Sequence, residues 1–85
     1  MKKTWSDEAW NQYMYLLDQG NKKLIRKINN LIKDIDRHLF DGLGKPEPLK
    51  YSLTGKWSRR ITVEHRLVYL VKDNQLYIFS IMDHY

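Results

Sequence analysis

The sequence predicts an α+β domain in which a two-helix hairpin packs on one face of a small, mainly antiparallel β-sheet. Two patterns carry this prediction. Apolar residues recur at helical spacing up to about residue 35, and runs rich in β-branched and aromatic residues follow from residue 57 onward. A chain of 85 residues has room for one compact domain, 1–85, and for no second core.

The N-terminal part is predicted to form a short strand and a first helix. Residues 2–5 favour an extended strand, and Ser6 is a typical N-cap. Asp7 and Glu8 then face the positive end of the helix dipole. Gly20 is a plausible end of this helix, because glycine readily adopts the left-handed conformation that closes helices.

A second helix is predicted to begin after Asn21, which can cap it. Its apolar positions follow helical spacing, and they are Leu24, Ile25, Ile28, Leu31, Ile32 and Ile35. The short turn between the two helices predicts an antiparallel hairpin.

The C-terminal half is predicted to be β-structure. Glycines and prolines between residues 41 and 56 indicate loop and irregular strand. Three strands are then predicted, at Trp57 to Val63, Arg66 to Val71 and Gln75 to Met82. Asp73-Asn74 is predicted to form the turn between the last two strands.

The composition restricts the function classes. Fifteen Lys and Arg against ten Asp and Glu give a net charge of +5 and a pI near 9.5, which favours a polyanion or an acidic protein segment as a partner. The absence of Cys excludes disulfides, thiolate zinc sites and Cys nucleophiles, and it fits a cytoplasmic protein. The longest apolar run, residues 13–17, is too short to span a bilayer, so we expect a soluble protein without membrane association.

Three arginines lie on the predicted strands. Arg59 and Arg60 are neighbours and must point to opposite faces, so at most one of them can share a face with Arg66. The alternative interpretation is that such arginines only cover apolar area of the sheet with their stems.

Two further segments carry candidate catalytic groups. Glu47 stands between two prolines that restrict its backbone, and Lys45 and Lys50 would favour its ionised form. His84, followed by Tyr85, directly follows an apolar strand and can titrate near neutrality, as a general acid or base must. The alternatives are a solvated loop carboxylate and a frayed terminus. The two other histidines, His38 and His65, are interpreted as structural or solvated.

Several chemistries find no motif here. The sequence contains no HExxH, no Walker loop, no GxGxxG and no GxSxG-type serine, and three scattered His without Cys do not favour a metal cage. The remaining Glu, His, Arg, Lys and Tyr suit metal-free cleavage of RNA, which carries its own nucleophile in the 2′-hydroxyl. A carboxylate, an imidazole and a guanidinium supply the base, the acid and the stabilising charge.

Four ordered stretches also carry a family resemblance, and they are Gly44 to Lys50, Trp57 to Ile61, Glu64 to Tyr69 and the ending His84-Tyr85. Trp5-Ser6 and the second helix around Ile28 match in the same register. Together these residues resemble the YoeB toxins of the RelE toxin–antitoxin superfamily. The resemblance implies a RelE-like microbial RNase-type fold.

The same resemblance implies a ribosome-dependent endoribonuclease, an mRNA interferase that cuts mRNA in the ribosomal A site and thereby inhibits translation. By motif match, Glu47 would be the general base on the 2′-hydroxyl and His84 the general acid on the leaving oxygen. Arg66 would stabilise the phosphorane, and Tyr85 would position the substrate. The residues implied in phosphate contact are Lys50 and Arg60. No cofactor and no metal ion is implied.

The implied partners are mRNA, the ribosome and an acidic antitoxin of the YefM type that covers the active surface, and a homodimer is left open. One departure is that many relatives carry a basic residue close to the terminal His-Tyr, where this chain has Met82-Asp83. Two other functions remain as alternatives. One is a ParE-like toxin that acts on DNA gyrase without cleaving RNA, although such toxins generally lack this Glu, Arg and His-Tyr combination. The other is a non-catalytic RNA- or ribosome-binding module.

Overall fold

The computed structural model describes residues 1–83, so His84 and Tyr85 lie outside the described residues. The elements in chain order are β1 (Lys2–Trp5), α1 (Asp7–Asp18), α2 (Lys22–Arg37), β2 (Glu47–Pro48), a 3₁₀ turn (Tyr51–Leu53), β3 (Trp57–Arg60), β4 (Arg66–Lys72) and β5 (Gln75–Asp83). Two helices packed on one five-stranded sheet confirm the predicted α+β class.

Both predicted helix caps are confirmed. The Ser6 hydroxyl accepts a hydrogen bond from the Ala9 N–H at 3.0 Å, and the Asn21 side chain accepts one from the Leu24 N–H at 3.3 Å. Gly20 has a φ of +68°, in the left-handed region where glycine meets no steric penalty. Among residues 1–83, neither helix combines the length and the apolar character that a membrane span requires.

The strand order across the sheet is β1-β5-β4-β3-β2. The last four strands in sequence pair antiparallel, as predicted, whereas β1 pairs parallel with β5. The sheet is therefore mixed at one edge. Parallel strands cannot be joined by a tight turn and need a long connection. This condition is met because the helical hairpin and three strands lie between β1 and β5 in the sequence.

The strand predicted over Trp57 to Val63 ends earlier, at Arg60. The β-branched residues that follow belong to a tight turn, in which the Thr62 hydroxyl accepts hydrogen bonds from the N–H groups of Glu64 (3.1 Å) and His65 (3.0 Å). A threonine that satisfies the backbone two and three residues ahead competes with the strand ladder. In this segment the local turn prevails over β-propensity.

The core lies between α2 and the sheet. Ile28, Leu31, Ile32 and Ile35 are buried, which confirms most of the predicted apolar stripe, whereas Leu24 and Ile25 are only half-buried. The facing sheet residues are also buried, and they include Leu67, Tyr69, Leu76, Ile78 and Ile81. Packing on this face fixes the register of β4 and β5, because a slip by one residue would turn these side chains outward.

Candidate active site

The sheet brings Glu47 and Arg66 together. Glu47 of β2 is the register partner of Ser58 in β3, and two residues further along β3, Arg60 is the register partner of Arg66 in β4. Residues directly opposite in neighbouring strands share a face. The Arg66 guanidinium donates from Nη1 to Glu47 Oε1, and the same nitrogen lies 3.5 Å from Ser58 Oγ.

This ion pair is open to ligands. The Glu47 side chain is 52% exposed and that of Arg66 is 16% exposed. A guanidinium binds phosphate oxygens through a planar fork of donors, and a carboxylate can accept a proton. The pair therefore combines an anion-binding group with a base at one end of the sheet.

The loop before Glu47 is held against the end of β3. Gly44 has a φ of +81°, and a Cβ there would lie 2.9 Å from a Leu31 methyl carbon and 3.0 Å from the Arg60 carbonyl oxygen. Its carbonyl accepts the Arg60 N–H at 2.6 Å. Only glycine fits this close approach, and the loop then passes through Lys45, with a φ of +50°, to Pro46.

The two predicted phosphate contacts differ in position. Arg60 is exposed and directly opposite Arg66, so it belongs to the same end of the sheet. Lys50 is exposed and precedes the 3₁₀ turn, and among residues 1–83 it forms no ion pair with Glu47. The cation that forms the ion pair with Glu47 is Arg66.

The end of β5 reaches the same region. Asp83 is the register partner of Arg66, and its carboxylate accepts a hydrogen bond from the Ser80 hydroxyl. The predicted general acid, His84, and the predicted positioning residue, Tyr85, follow Asp83 and lie outside the described residues.

No local pattern in the sequence reveals how β5 is anchored. The ladder between β4 and β5 shifts register on both sides of Val68, and each shift leaves one extra residue in β5, of which Phe79 is one. Helix α1 satisfies the backbone groups released there. The Ser6 hydroxyl donates to the Phe79 carbonyl at 2.7 Å, and the Gln12 side-chain oxygen accepts the Ile81 N–H at 2.7 Å.

Arg59 is the residue whose role sequence reasoning missed. Its side chain is fully buried, so the interpretation as a surface arginine was wrong. Each of its five N–H donors has an acceptor. The acceptors are Asp34 Oδ2 (2.7 Å), Tyr69 Oη (3.2 Å) and the carbonyls of Leu43 (3.1 Å), Asp41 (2.7 Å) and His38. Arg59 thus ties α2 and β4 to the segment that leads towards Glu47.

Two residues that bind Arg59 have shifted pKa values. The Leu43 N–H and the Arg59 guanidinium hold the pKa of Asp34 below its usual value of 3.8. Burial raises the pKa of the Tyr69 phenol. The sequence did contain a signal for this network, because Asp34 follows Leu31 by three residues and precedes Ile35, which places a carboxylate beside the apolar stripe of α2.

The other two histidines, His38 and His65, lie at the end of α2 and in the turn between β3 and β4. His38 ends α2, and its exposed ring lies 3.5 Å from the Asp41 carboxylate. The His65 carbonyl accepts the N–H groups of Ile61 and Thr62 and thereby closes the turn between β3 and β4. Across residues 1–83, no three His, Asp or Glu side chains are grouped so that they could hold a metal ion.

Comparison with known proteins agrees with this geometry. The family model for the YoeB-like toxin of the bacterial type II toxin–antitoxin system matches residues 5–85. Toxin YoeB of Escherichia coli K12 is 54% identical over 85 residues, which cover all of both chains. Among solved structures, a YoeB/ParE toxin from Agrobacterium tumefaciens has a TM-score of 0.94 and 42% identity over the full length of both chains.

A second similar structure is YoeB of Staphylococcus aureus in its YoeB–YefM complex. It has a TM-score of 0.90 and 51% identity, covering 100% of this chain and 98% of the other. A YoeB of S. aureus, 50% identical to this chain, has also been solved as a dimer. Full-length identity of this order, together with the shared fold, establishes the family. The chain belongs to the YoeB-like toxins of bacterial type II toxin–antitoxin systems.

Proposed function

We propose that this toxin is a ribosome-dependent endoribonuclease that cleaves mRNA in the ribosomal A site and so inhibits translation. The observation that carries the proposal is the Glu47–Arg66 ion pair, half open to solvent at the end of the sheet where β5 also ends. This placement suits a reaction in which a base and a phosphate-binding cation act on adjacent atoms of one RNA linkage.

In the proposed reaction, the Glu47 carboxylate removes the proton from the ribose 2′-hydroxyl. The 2′-oxygen attacks the neighbouring phosphorus, and the bond from phosphorus to the 5′-oxygen breaks, which leaves a 2′,3′-cyclic phosphate. General base catalysis of this kind contributes roughly 10²- to 10⁴-fold to the rate. DNA lacks the 2′-hydroxyl and would not be cut.

Arg66 is proposed to stabilise the charge on the phosphorane. In the unbound protein its guanidinium pairs with Glu47. A substrate phosphate would compete for the same guanidinium, and the exchange would release the carboxylate as an acceptor for the 2′-hydroxyl proton. The ion pair would then be a resting state that substrate binding converts into two separate catalytic groups.

His84 is proposed as the general acid that protonates the leaving 5′-oxygen, and Tyr85 as the residue that positions the substrate. Support comes from the motif match and from β5, whose last residue, Asp83, is the partner of Arg66. Lys50 and Arg60 are proposed phosphate contacts. Arg60 has the stronger support, because it lies opposite Arg66. The proposed chemistry needs no metal ion.

The proposed partners are the ribosome with its mRNA and an acidic YefM-like antitoxin. Relatives from S. aureus have been solved as a YoeB–YefM complex and as a YoeB dimer, so we extend both an antitoxin partner and a homodimer to this chain as proposals. The net charge of +5 suits an acidic antitoxin segment as well as RNA. Action on translating ribosomes implies the cytoplasm as the compartment.

The test is to map RNA 5′ ends after induction of the wild-type toxin, Glu47→Gln and His84→Gln, with and without ribosomes. We expect the wild type to cleave mRNA only when ribosomes are present, both with and without EDTA. Both variants should lose cleavage while they still bind ribosomes. Glu64→Gln is the matched control, because Glu64 is exposed in the turn between β3 and β4. Growth arrest by both variants without mRNA cleavage would favour a binding module or a gyrase poison instead.

A further inference from the structure

A cleft of about 370 Å³ opens beside the candidate active site, between α2, the loop before β2 and the end of β3. Its volume falls near the lower end of the range for ligand pockets, roughly 300–1,000 Å³. The side chains that characterise it are three cations, one amide and two aliphatic groups, and they are Lys27, Lys45, Arg60, Asn30, Leu31 and Leu43.

The positive charge of this cleft is not balanced. Lys27, Lys45 and Arg60 are exposed, and none of them pairs with a carboxylate within the described residues 1–83. Two acidic groups on neighbouring elements, Asp34 of α2 and Glu47 of β2, are each bound to another arginine. Three cations around one concave surface attract an anion and favour its phosphate oxygens.

The cleft and the candidate active site meet at one residue. Arg60 lines the cleft and is also the register partner of Arg66, so one residue adjoins both. Lys45 is held on the other wall in the left-handed region, with a φ of +50°. Non-glycine residues in that region cost energy, and they persist where the surrounding structure fixes them, often at ligand sites.

We propose that this cleft is a nucleotide subsite that holds the RNA phosphate next to the scissile linkage, a proposal that rests on the proposed function. When one phosphate of an RNA chain binds Arg66, the neighbouring phosphate of the same chain lies beside Arg60 and in the cleft. Lys27 and Lys45 contact that phosphate, the Asn30 amide offers a polar contact to the sugar or base, and the exposed Leu43 side chain packs against the ribose. The ligand class is a nucleoside monophosphate within an RNA strand.

The direct test is an NMR titration of the ¹⁵N-labelled protein with adenosine 3′-monophosphate, which the enzyme cannot cleave. We expect shifts confined to the amides of Asn30, Gly44, Lys45 and their neighbours. Adenosine alone and inorganic phosphate alone should each bind more weakly, because each supplies only half of the contacts. Shifts that spread over the whole basic surface, or that avoid the cleft, would overturn the proposal.

Lys27→Gln combined with Lys45→Gln should weaken nucleotide binding by about tenfold or more, because charge-assisted contacts are lost. In a plot of the logarithm of the affinity for a short single-stranded RNA against the logarithm of the salt concentration, the magnitude of the slope should fall by about 0.7. This is the value for one phosphate contact on a single strand. The matched control is Lys23→Gln with Lys72→Gln, which removes the same charge at exposed positions outside the cleft. An equal loss of binding in the control would mean that the effect depends only on the net charge of the protein, and it would refute the subsite.

An acidic peptide with aliphatic side chains is the competing probe. If such a peptide shifts the cleft amides and the nucleotide does not, the cleft is a protein-binding site and the proposal fails. These titrations measure binding alone. Failure of the Glu47→Gln cleavage test with intact nucleotide binding would remove the proposed function and leave the subsite, whereas the opposite pair of results would remove only the subsite.

Discussion

The protein contains two arginine–carboxylate pairs that lie on opposite faces of the same sheet. Arg59 and Asp34 form a pair on the helix side, where the arginine is fully buried and the aspartate is 14% exposed. Arg66 and Glu47 form the other pair, with 16% and 52% exposure. The first guanidinium uses all five donors within the protein, whereas within residues 1–83 the second donates only from Nη1.

The difference in burial gives the two pairs different roles: the buried pair stabilises the fold, and the exposed pair can exchange partners with a ligand. A buried guanidinium with every donor satisfied cannot exchange partners without exposing several backbone carbonyls, so Arg59 is fixed. A pair near solvent gains little from its mutual attraction and exchanges partners readily. The two pairs are connected, because Arg59 holds the segment from His38 to Leu43 that leads to the loop carrying Glu47.

The largest expected effect is on stability. Arg59→Met should lower the free energy of unfolding by about 3–5 kcal/mol, because it leaves the Asp34 carboxylate and several carbonyls unpaired. Denaturant unfolding followed by circular dichroism measures this loss. The neighbour Arg60 is the matched control, and Arg60→Met should change the same quantity by no more than about 0.5 kcal/mol. Equal losses would mean that the two faces of β3 do not differ as described.

The second prediction concerns the exposed pair, Arg66 and Glu47. Arg66→Gln should slow ribosome-dependent mRNA cleavage by about 10²- to 10³-fold, the usual cost of one preorganised donor to a transition state. Its free energy of unfolding should change by less than about 1 kcal/mol, because the pair is near the surface. Arg37→Gln, at the exposed end of α2, is the control for loss of charge. A large loss of stability with unchanged cleavage would assign Arg66 to the scaffold.

The smallest expected effect is on the pH dependence of stability in the acid range. The pKa of Asp34 in the folded chain lies below its ordinary value of 3.8, so the unfolded chain binds more protons near that pH. The stabilisation is complete above about pH 4 and is lost as the pH falls through the folded pKa. Unfolding free energies measured between neutral and acid pH should therefore decline less steeply in Asp34→Asn than in the wild type. Parallel curves would contradict the assignment.

Most of the fold could be predicted because its signals are local. Ser6 and Asn21 cap helices through hydrogen bonds to residues three positions ahead, and the α2 stripe repeats at a fixed spacing. The parallel pairing of β1 depends on partners far apart in sequence, and no local pattern reveals it. The early end of β3 was missed because Thr62 has high β-propensity and also forms turns.

The site was predictable where motif and register agree. Glu47 and Arg66 were identified by family resemblance, and the geometry brings them together. The burial of Arg59 could not be read from neighbouring residues, because its acceptors come from α2, β4 and the loop between α2 and β2. The contact of Gln12 with the Ile81 amide depends on a register shift in β5 that leaves no pattern in the sequence.

The edge strand has a consequence for the order of folding. Lys2 pairs with Gln75, and Ser6 bonds the backbone of Ile78 and Phe79, so segments separated by nearly the whole chain must meet to complete the sheet. Closing so long a loop spends entropy before any contact compensates for it. Chains dominated by such distant contacts fold in milliseconds to seconds, whereas helical bundles of similar size fold in microseconds to milliseconds. We therefore expect α2 and the β4–β5 hairpin to form first, and the pairing of β1 with β5 to be among the last steps of folding.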